Sequence, residues 1–216
     1  MSLSYPFADT KTADRATSLG EILDRAAVRM TFAKDEEIYG QEEEADLIYR
    51  VVSGVVRTAR FLSDGRRQVG GFYRAGELFG LEMGETHRYA AEALTDCVVQ
   101  VIKRSALRAE ADEGELDRAI WNAVCRDLER AQEHVLLLGR KTACEKVASF
   151  LKELAEEADD AVELAMGRQD IADYLGLTIE TVSRMLTQLQ STSVVEFAGC
   201  RQFRVRKWDV LERLAA

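Results

Sequence analysis

Residues 168–186 read RQDIADYLGLTIETVSRML, and their apolar positions follow the spacing of two short helices joined by a tight turn. Ile171, Ala172 and Leu175 form the inner face of the first helix, where Ala172 is small because the second helix crosses over it. Gly176 can adopt the positive φ angle that the turn requires. This pattern predicts a helix-turn-helix, with an ordinary helical corner as the alternative.

The second helix of the motif is predicted to begin after Thr178, a residue type that caps helix N-termini. Leu177 fills the corner of the turn. The buried face of the helix comprises Val182, Met185, Leu186 and Leu189. The outward face comprises Ile179, Glu180, Ser183, Arg184 and Thr187. Because the N-terminal half of such a helix enters the major groove, we predict DNA contacts for this outward face and for the adjacent Thr178 and Thr181.

Residues 194–206 contain two alternating apolar runs around a glycine turn, which predicts a β-hairpin. A hairpin directly after a recognition helix is the wing of a winged helix. Its basic residues suit phosphate contacts, which fix register without reading sequence; they are Arg201, Arg204, Arg206 and Lys207. A solvated basic hairpin is the alternative. Cys200, on the same turn, is a thiol whose oxidation would add bulk and charge near DNA.

Residues 28–110 have a different character, with short β-prone runs separated by turn residues. The runs fall at 30–32, 47–52, 55–61, 69–73 and 97–102. No long helical pattern interrupts them, so they predict a small antiparallel β-roll. Residues 1–27 are interpreted as a loose lead-in with room for one short helix.

Residues 111–139 carry an apolar stripe at intervals of three and four, typical of a long helix. The stripe comprises Leu116, Ile120, Val124, Leu128, Ala131, Val135 and Leu138. Such a helix extends past the end of a small roll, so it either packs on its own roll or pairs with a second copy; we favour the homodimer. The predicted fold class is therefore α+β: a roll, a dimerisation helix and, after a joint at Gly139, a winged helix-turn-helix over residues 140–216.

The net charge of −9 does not exclude DNA as a partner, because the charge is unevenly distributed. Residues 1–139 hold 18 basic and 25 acidic residues, whereas residues 166–216 hold 7 basic and 6 acidic ones. Binding depends on local positive charge at the phosphates. No apolar run approaches the ~20 residues that cross a bilayer, and no signal peptide is evident, which predicts a cytoplasmic protein without membrane contact.

The order of roll, long helix and winged helix resembles that of the CRP/FNR family of bacterial transcription regulators. Three sequence motifs carry the same resemblance. RAGELFG at 74–80 is similar to the family's glycine-glutamate turn, and LGRKTA at 138–143 to its hinge. ETVSR at 180–184 matches the E-x-x-S-R signature of the FNR and FixK branch. The resemblance implies a homodimeric regulator, expected to be an activator, that binds palindromic sites such as TTGAT-N4-ATCAA and contacts RNA polymerase.

The resemblance also assigns base contacts to Glu180, Ser183 and Arg184. The chemistry of these side chains agrees, because a carboxylate accepts from the cytosine amino group and a guanidinium donates to guanine O6 and N7. Ser183 is short enough to lie against a thymine methyl group.

Relatives that bind cyclic nucleotides hold the phosphate with an R-S-A or R-T-A sequence. Here Gly76 and Glu77 keep one half of that pocket, but the other half aligns with His87, Arg88 and Tyr89. We therefore expect a degenerate effector pocket that takes no cyclic nucleotide. The resemblance then implies a FixK-like regulator that is active as made or controlled through its abundance.

Other cofactors and metals are not expected either. The chain has four cysteines without a C-x-x-C pair and only two histidines, which argues against disulfides and zinc. An FNR-type iron–sulfur cluster needs four thiolates, most from the N-terminus, and no cysteine precedes Cys97. His87 and His134 are candidate haem ligands, but we expect both at the surface.

Two other classes of protein are weighed against a regulator. A cupin-type enzyme needs two or more histidines with a carboxylate on facing strands, and the roll contains only His87. A nucleotide-binding interaction module would not need the helix-turn-helix. We therefore predict that the chain is not an enzyme.

Overall fold

The computed structural model describes residues 19–82, 84–110, 113–156, 161–199 and 201–216. Most of the predicted lead-in and the thiol of Cys200 lie outside these ranges. Within them the chain forms a β-roll, a long helix and a C-terminal domain of helices with a small sheet. The α+β architecture predicted from the sequence is confirmed.

The roll consists of two four-stranded antiparallel sheets, with strand orders β1-β8-β3-β6 and β2-β7-β4-β5. Its strands are β1 Val28–Phe32, β2 Glu37–Tyr39, β3 Leu47–Ser53, β4 Val56–Phe61, β5 Arg67–Tyr73, β6 Leu78–Phe79, β7 Ala90–Ala93 and β8 Cys97–Lys103. The sequence pattern did not predict β2, β6 and β7, because they are only two to four residues long and lack β-branched runs. Helices α1 (Leu19–Ala26) and α2 (Arg104–Glu110) flank the roll in the chain.

The core of the roll is apolar, with Val51, Val56 and Val99 fully buried between the sheets. The turn between β3 and β4 requires glycine at Gly54, whose φ angle is +87°. A Cβ atom there would lie 2.5 Å from the carbonyl oxygen of Asp96, too close for any side chain.

His87 lies inside this core rather than at the surface, which corrects the sequence-based expectation. It is 1% exposed, and its ring stacks on Tyr39 with the ring centroids 3.7 Å apart. Among the described residues neither ring nitrogen has a hydrogen-bond partner. Burial therefore lowers the pKa of His87, because the charged ring would be poorly solvated. The polar residues around His87 in the sequence gave no sign of this burial.

Helix α3 (Glu113–Arg140) is 28 residues long and leads out of the roll. It ends one residue past the joint expected at Gly139, and the chain is non-helical at Lys141 and Thr142. The C-terminal domain comprises α4 Ala143–Glu156, β9 Val162–Glu163, α5 Arg168–Leu175, α6 Ile179–Ser191, β10 Val195–Ala198, β11 Gln202–Val205 and α7 Trp208–Ala215. Its sheet has the order β10-β11-β9. No helix in the described part of the chain has the length and apolarity needed to cross a membrane.

The C-terminal domain has its own core, in which residues from the helices and the sheet pack together. The large side chains buried there include Phe150, Leu151, Ile171, Leu189 and Phe203. Lys146 is also buried, and its ammonium group donates to the carbonyl oxygen of Leu175 at 3.1 Å. That bond satisfies a carbonyl group at the end of α5, which an α-helix leaves without an internal partner.

His87 predicts a loss of stability in mild acid. Its pKa in the folded state lies below the ordinary 6.5, so the neutral ring favours folding fully above pH 6.5 and progressively less below it. We expect His87→Phe to remove this part of the pH dependence, which is at most about 1.4 kcal/mol per pH unit for one proton. Urea unfolding between mildly alkaline and mildly acidic pH measures it. Parallel curves for wild type and variant would contradict the assignment.

Candidate nucleic-acid interface

The turn of the helix-turn-helix has the predicted backbone geometry. Helix α5 ends at Leu175 and is capped by Gly176, which has φ +60° and ψ +44°, the left-handed conformation. Thr178 then caps α6, because its hydroxyl oxygen accepts from the backbone N–H of Thr181 at 3.3 Å. The predicted cap and turn are confirmed.

Helix α6 separates a buried face from an exposed one. The buried residues are Val182, Met185, Leu186 and Leu189. Ile179, Glu180, Arg184 and Thr187 are exposed, and Ser183 is half-buried. Thr187 donates its hydroxyl to the carbonyl oxygen of Ser183 at 2.9 Å, so this hydroxyl is turned toward its own helix. The outward face predicted from the sequence is thus available to an external partner.

Glu180 lies in the first turn of α6, where backbone N–H groups favour negative charge. Hydrogen bonding from its own backbone N–H and from the hydroxyl of Thr178 holds the pKa of the Glu180 carboxyl below its usual value. The group is therefore an ionised acceptor at neutral pH. Arg184 follows four residues later, so a hydrogen-bond acceptor and a donor fork lie side by side on the exposed face.

The predicted wing is the antiparallel hairpin of β10 and β11, in which Glu196 pairs with Arg204. All four of its predicted phosphate-contacting residues are exposed. Arg206 forms an ion pair with Glu196, and Lys207 donates to the carbonyl oxygen of Thr192 at 2.8 Å. Because these contacts are exposed, little free energy opposes their rearrangement.

Known proteins with this geometry are transcription regulators. Residues 164–195 match the model of bacterial regulatory proteins, crp family, and residues 29–113 match the cyclic nucleotide-binding domain. The chain is 44% identical over 210 residues to the nitrogen fixation regulation protein FixK of Azorhizobium caulinodans, covering 94% of this chain and 85% of that one. The chain belongs to the CRP/FNR family.

Two further relatives support this assignment to the CRP/FNR family and its FixK-like branch. The structure of FixK2 from Bradyrhizobium japonicum matches with a TM-score of 0.85 and 46% identity, covering 88% of this chain and 98% of that one. The transcriptional activatory protein AadR of Rhodopseudomonas palustris is 35% identical, covering 88% of this chain and 84% of that one. The prediction of a DNA-binding transcription regulator rather than an enzyme is confirmed.

Helix α3 of this CRP/FNR protein exposes apolar residues seven positions apart. Trp121 is 68% exposed, Leu128 56% and Val135 69%, while Val124 and Leu138, each three residues after one of them, are half-buried. Trp121 is absent from the stripe predicted from the sequence, which stepped back four residues from Val124 to Ile120; a step of three residues from Val124, or of seven from Leu128, leads to Trp121. We name these five residues the α3 stripe.

Two residues of the predicted dimer interface are not part of the α3 stripe. Ile120 packs against the chain's own roll, in the cluster that includes Leu23 and Ile102. Its contribution to a second copy is therefore reduced. The side chain of Leu116 lies outside the described part of the structure.

The four residues of the predicted degenerate effector pocket have different surroundings in the structure. The Glu77 carboxylate forms an ion pair with Arg130 of α3 and accepts from the backbone N–H of Arg74 at 2.6 Å. His87 lies in the aromatic core, and the backbone N–H of Arg88 donates to Glu82 at 3.1 Å. Gly76, at φ +91°, shapes the turn that carries Glu77. The four predicted pocket residues therefore do not form one open polar site.

His134, the other histidine, is half-buried. Its ring stacks on Tyr174 with centroids 4.2 Å apart, and its Nε2 lies 2.8 Å from the carbonyl oxygen of Tyr174. Burial lowers the pKa of His134. This ring nitrogen already has a partner, which does not fit an axial haem ligand. Within the described ranges, no group of three or more histidine, cysteine or acidic residues could hold a metal ion.

We expect DNA binding that does not depend on cyclic AMP, because His87 and Arg88 stand where the phosphate-binding arginine and hydroxyl are expected, and His87 is buried against Tyr39. Calorimetry with cyclic AMP, and operator binding with and without it, would measure this. Arg130→Ala is the informative variant, since it frees Glu77 and tests whether Arg130 alone closes the pocket. Micromolar affinity in the wild type, together with tighter operator binding, would contradict the prediction.

Proposed function

We propose that this regulator binds palindromic DNA of the form TTGAT-N4-ATCAA as a homodimer, with Glu180, Ser183 and Arg184 contacting the bases. The observation that carries the proposal is the exposed face of α6, where an ionised carboxylate and a guanidinium lie one turn apart. A G·C pair presents guanine acceptors and a cytosine amino donor in the major groove. This complementarity supports contacts of Arg184 with guanine and of Glu180 with cytosine.

The remaining interface residues are assigned to DNA contacts other than base readout. On α6 and its cap they are Thr178, Ile179, Thr181 and Thr187, and on the wing they are Arg201, Arg204, Arg206 and Lys207. Hydroxyl groups and cations at the edge of a recognition helix bind phosphates and fix its register. These contacts strengthen binding to any sequence, whereas the base contacts select the site.

The homodimer is proposed from the α3 stripe. Apolar side chains that are more than half exposed and repeat every seven residues are the pattern of a coiled-coil seam. Two copies paired along α3 would be related by a two-fold axis and would present two α6 helices about one DNA turn apart. This symmetry is why the proposed site is a palindrome.

Transcription activation through contact with RNA polymerase completes the proposal. Relatives carry names such as transcriptional activatory protein AadR and transcriptional activator protein Anr of Pseudomonas protegens, the latter 33% identical. An activator bound upstream of a promoter needs an exposed surface for the polymerase, on the roll or on the winged domain.

The dimer is tested by Leu128→Glu, which places a charge in the middle of the α3 stripe. We expect a monomer mass in sedimentation at micromolar concentration and a loss of operator binding. Arg126→Gln is the matched control, because it changes the net charge equally and lies off the stripe in the heptad. A wild-type monomer that stays monomeric with operator DNA would refute the dimer.

Base readout is tested by Glu180→Ala, Arg184→Ala and Arg204→Ala. The first two should each cost about 1–3 kcal/mol per half-site and relax the preference for the G·C pair of TTGAT. Arg204→Ala should instead weaken all sequences alike and flatten the salt dependence, because phosphate contacts act through counterion release. Binding curves on the site and its single-base variants at two salt concentrations distinguish these effects.

Glu180→Gln sharpens the same experiment. A glutamine amide pairs with adenine N6 and N7, so this variant should move the preferred base from cytosine toward adenine. If Glu180→Ala keeps the base preference of the wild type, the assignment of the recognition helix is wrong.

A further inference from the structure

The roll holds the first helix of the helix-turn-helix through a set of ion pairs. Arg67 of β5 donates to Asp170 and to Asp173 of α5, with both distances 2.7 Å. Arg57 of β4 pairs with Asp170 and with Glu92 of β7. We name Arg57, Arg67, Asp170 and Asp173 the interdomain ion cluster.

The charges of this cluster are largely removed from water. The side chains of Arg57 and Asp170 are 11% exposed, that of Asp173 is 14% exposed and that of Arg67 is 19% exposed. Charges desolvated to this extent are compensated chiefly by one another, and truncating one partner leaves the other charge buried and unpaired. The cluster therefore favours one orientation of α5 relative to the roll.

An aromatic contact beside the cluster supports the same orientation. Tyr174 of α5 lies against Phe72 of β5 with centroids 5.3 Å apart, against His134 of α3 and against Phe150 of α4. Three separate parts of the chain thus surround one residue of α5. Packing of this kind resists continuous sliding, because a close-packed interface has few alternative arrangements.

The cluster leaves the DNA-binding face uncovered. It contacts α5, whereas Glu180 and Arg184 lie on α6 and remain exposed. Since α5 and α6 share one core, fixing α5 against the roll also fixes α6 relative to α3. In a dimer paired along α3, the separation of the two α6 helices would then be set without any ligand.

We propose that Arg67 and Asp173, with Arg57 and Asp170, are positioning residues that fix the spacing between the two recognition helices. This inference rests on the proposed dimer and palindromic site. Its consequence is discrimination by spacer length: a rigid pair of helices accepts the four-base-pair spacer and rejects longer or shorter ones, whereas loosely held helices accept several.

The test uses Arg67→Gln, because both carboxylate partners of Arg67 lie on α5. Arg66→Gln is the matched control, because it removes the same charge from the preceding residue. The side chain of Arg66 is 77% exposed and pairs with Asp64 in the same turn. A charge exchange, Arg67→Asp with Asp173→Arg, restores opposite charges at these two positions of β5 and α5. Asp170 is left unchanged, since its carboxylate also accepts from the backbone N–H of Gly167 at the start of α5.

Affinities are measured for full-length dimers on operators with spacers of three to six base pairs and on a single half-site. We expect Arg67→Gln to reduce the preference for the four-base-pair spacer about tenfold while its half-site affinity is unchanged, and the charge exchange to restore the preference. A cluster that served stability alone would lower the melting temperature without changing spacer preference.

Three outcomes distinguish this inference from the proposed function on which it rests. Reduced spacer preference in Arg67→Gln, restored by the exchange and absent in Arg66→Gln, supports the inference. A folded, dimeric Arg67→Gln whose spacer preference stays within about twofold of the wild type overturns it and leaves the proposed function intact. A wild-type protein with no preference for the palindrome over a half-site overturns the proposed function, and the inference with it.

Discussion

Helix α5 packs on two sides, and these contacts fix how the C-terminal domain lies against the roll. Along its eight residues, Ile171, Ala172 and Leu175 enter the core of the C-terminal domain, while Asp170 and Asp173 face the roll. Helical periodicity places these two sets on different faces of one helix. Ala172 is fully buried and small, so α6 can cross α5 closely, and the contacts of α5 with the roll also hold α6.

The charge distribution shows how an acidic chain can bind a polyanion selectively. The wing has cations beside a recognition helix whose first turn holds an ionised carboxylate. Near DNA, the charge of Glu180 is unfavourable unless a cytosine amino group meets it, so this residue would penalise wrong sequences as much as it rewards the right one. The modest basic surplus of the C-terminal segment suits a protein whose site is selected by base contacts as well as by attraction to phosphate.

The sequence predicted local features well because their causes are local. Gly176 predicts a turn through its backbone freedom and Thr178 predicts a cap through its hydroxyl, and both residues have those roles in the structure. His87 could not be placed, since its burial depends on strands that are distant in the sequence. The pair Arg57 and Asp170 is separated by 113 residues, and no periodicity relates two such positions. Contacts between residues so far apart in the sequence follow from the tertiary fold. Here they include the contacts of the interdomain ion cluster, which are proposed to orient α6.

The roll matches the cyclic nucleotide-binding domain, and its side chains form ion pairs with the neighbouring helices α3 and α5. Glu77 forms an ion pair with Arg130 of α3, and Arg57 and Arg67 form ion pairs with α5. The roll therefore contacts both the helix proposed to join two copies and the first helix of the helix-turn-helix. A ligand that required Glu77 would have to break the pair with Arg130, whose guanidinium would then lose its hydrogen-bonded carboxylate. A ligand can shift an equilibrium only by its differential affinity for two states. The half-exposed pair of Glu77 with Arg130 opposes such a ligand only weakly, whereas the buried pairs of Arg57 and Arg67 hold the roll against α5. In the proposed arrangement the roll therefore acts as a fixed support between α3 and α5.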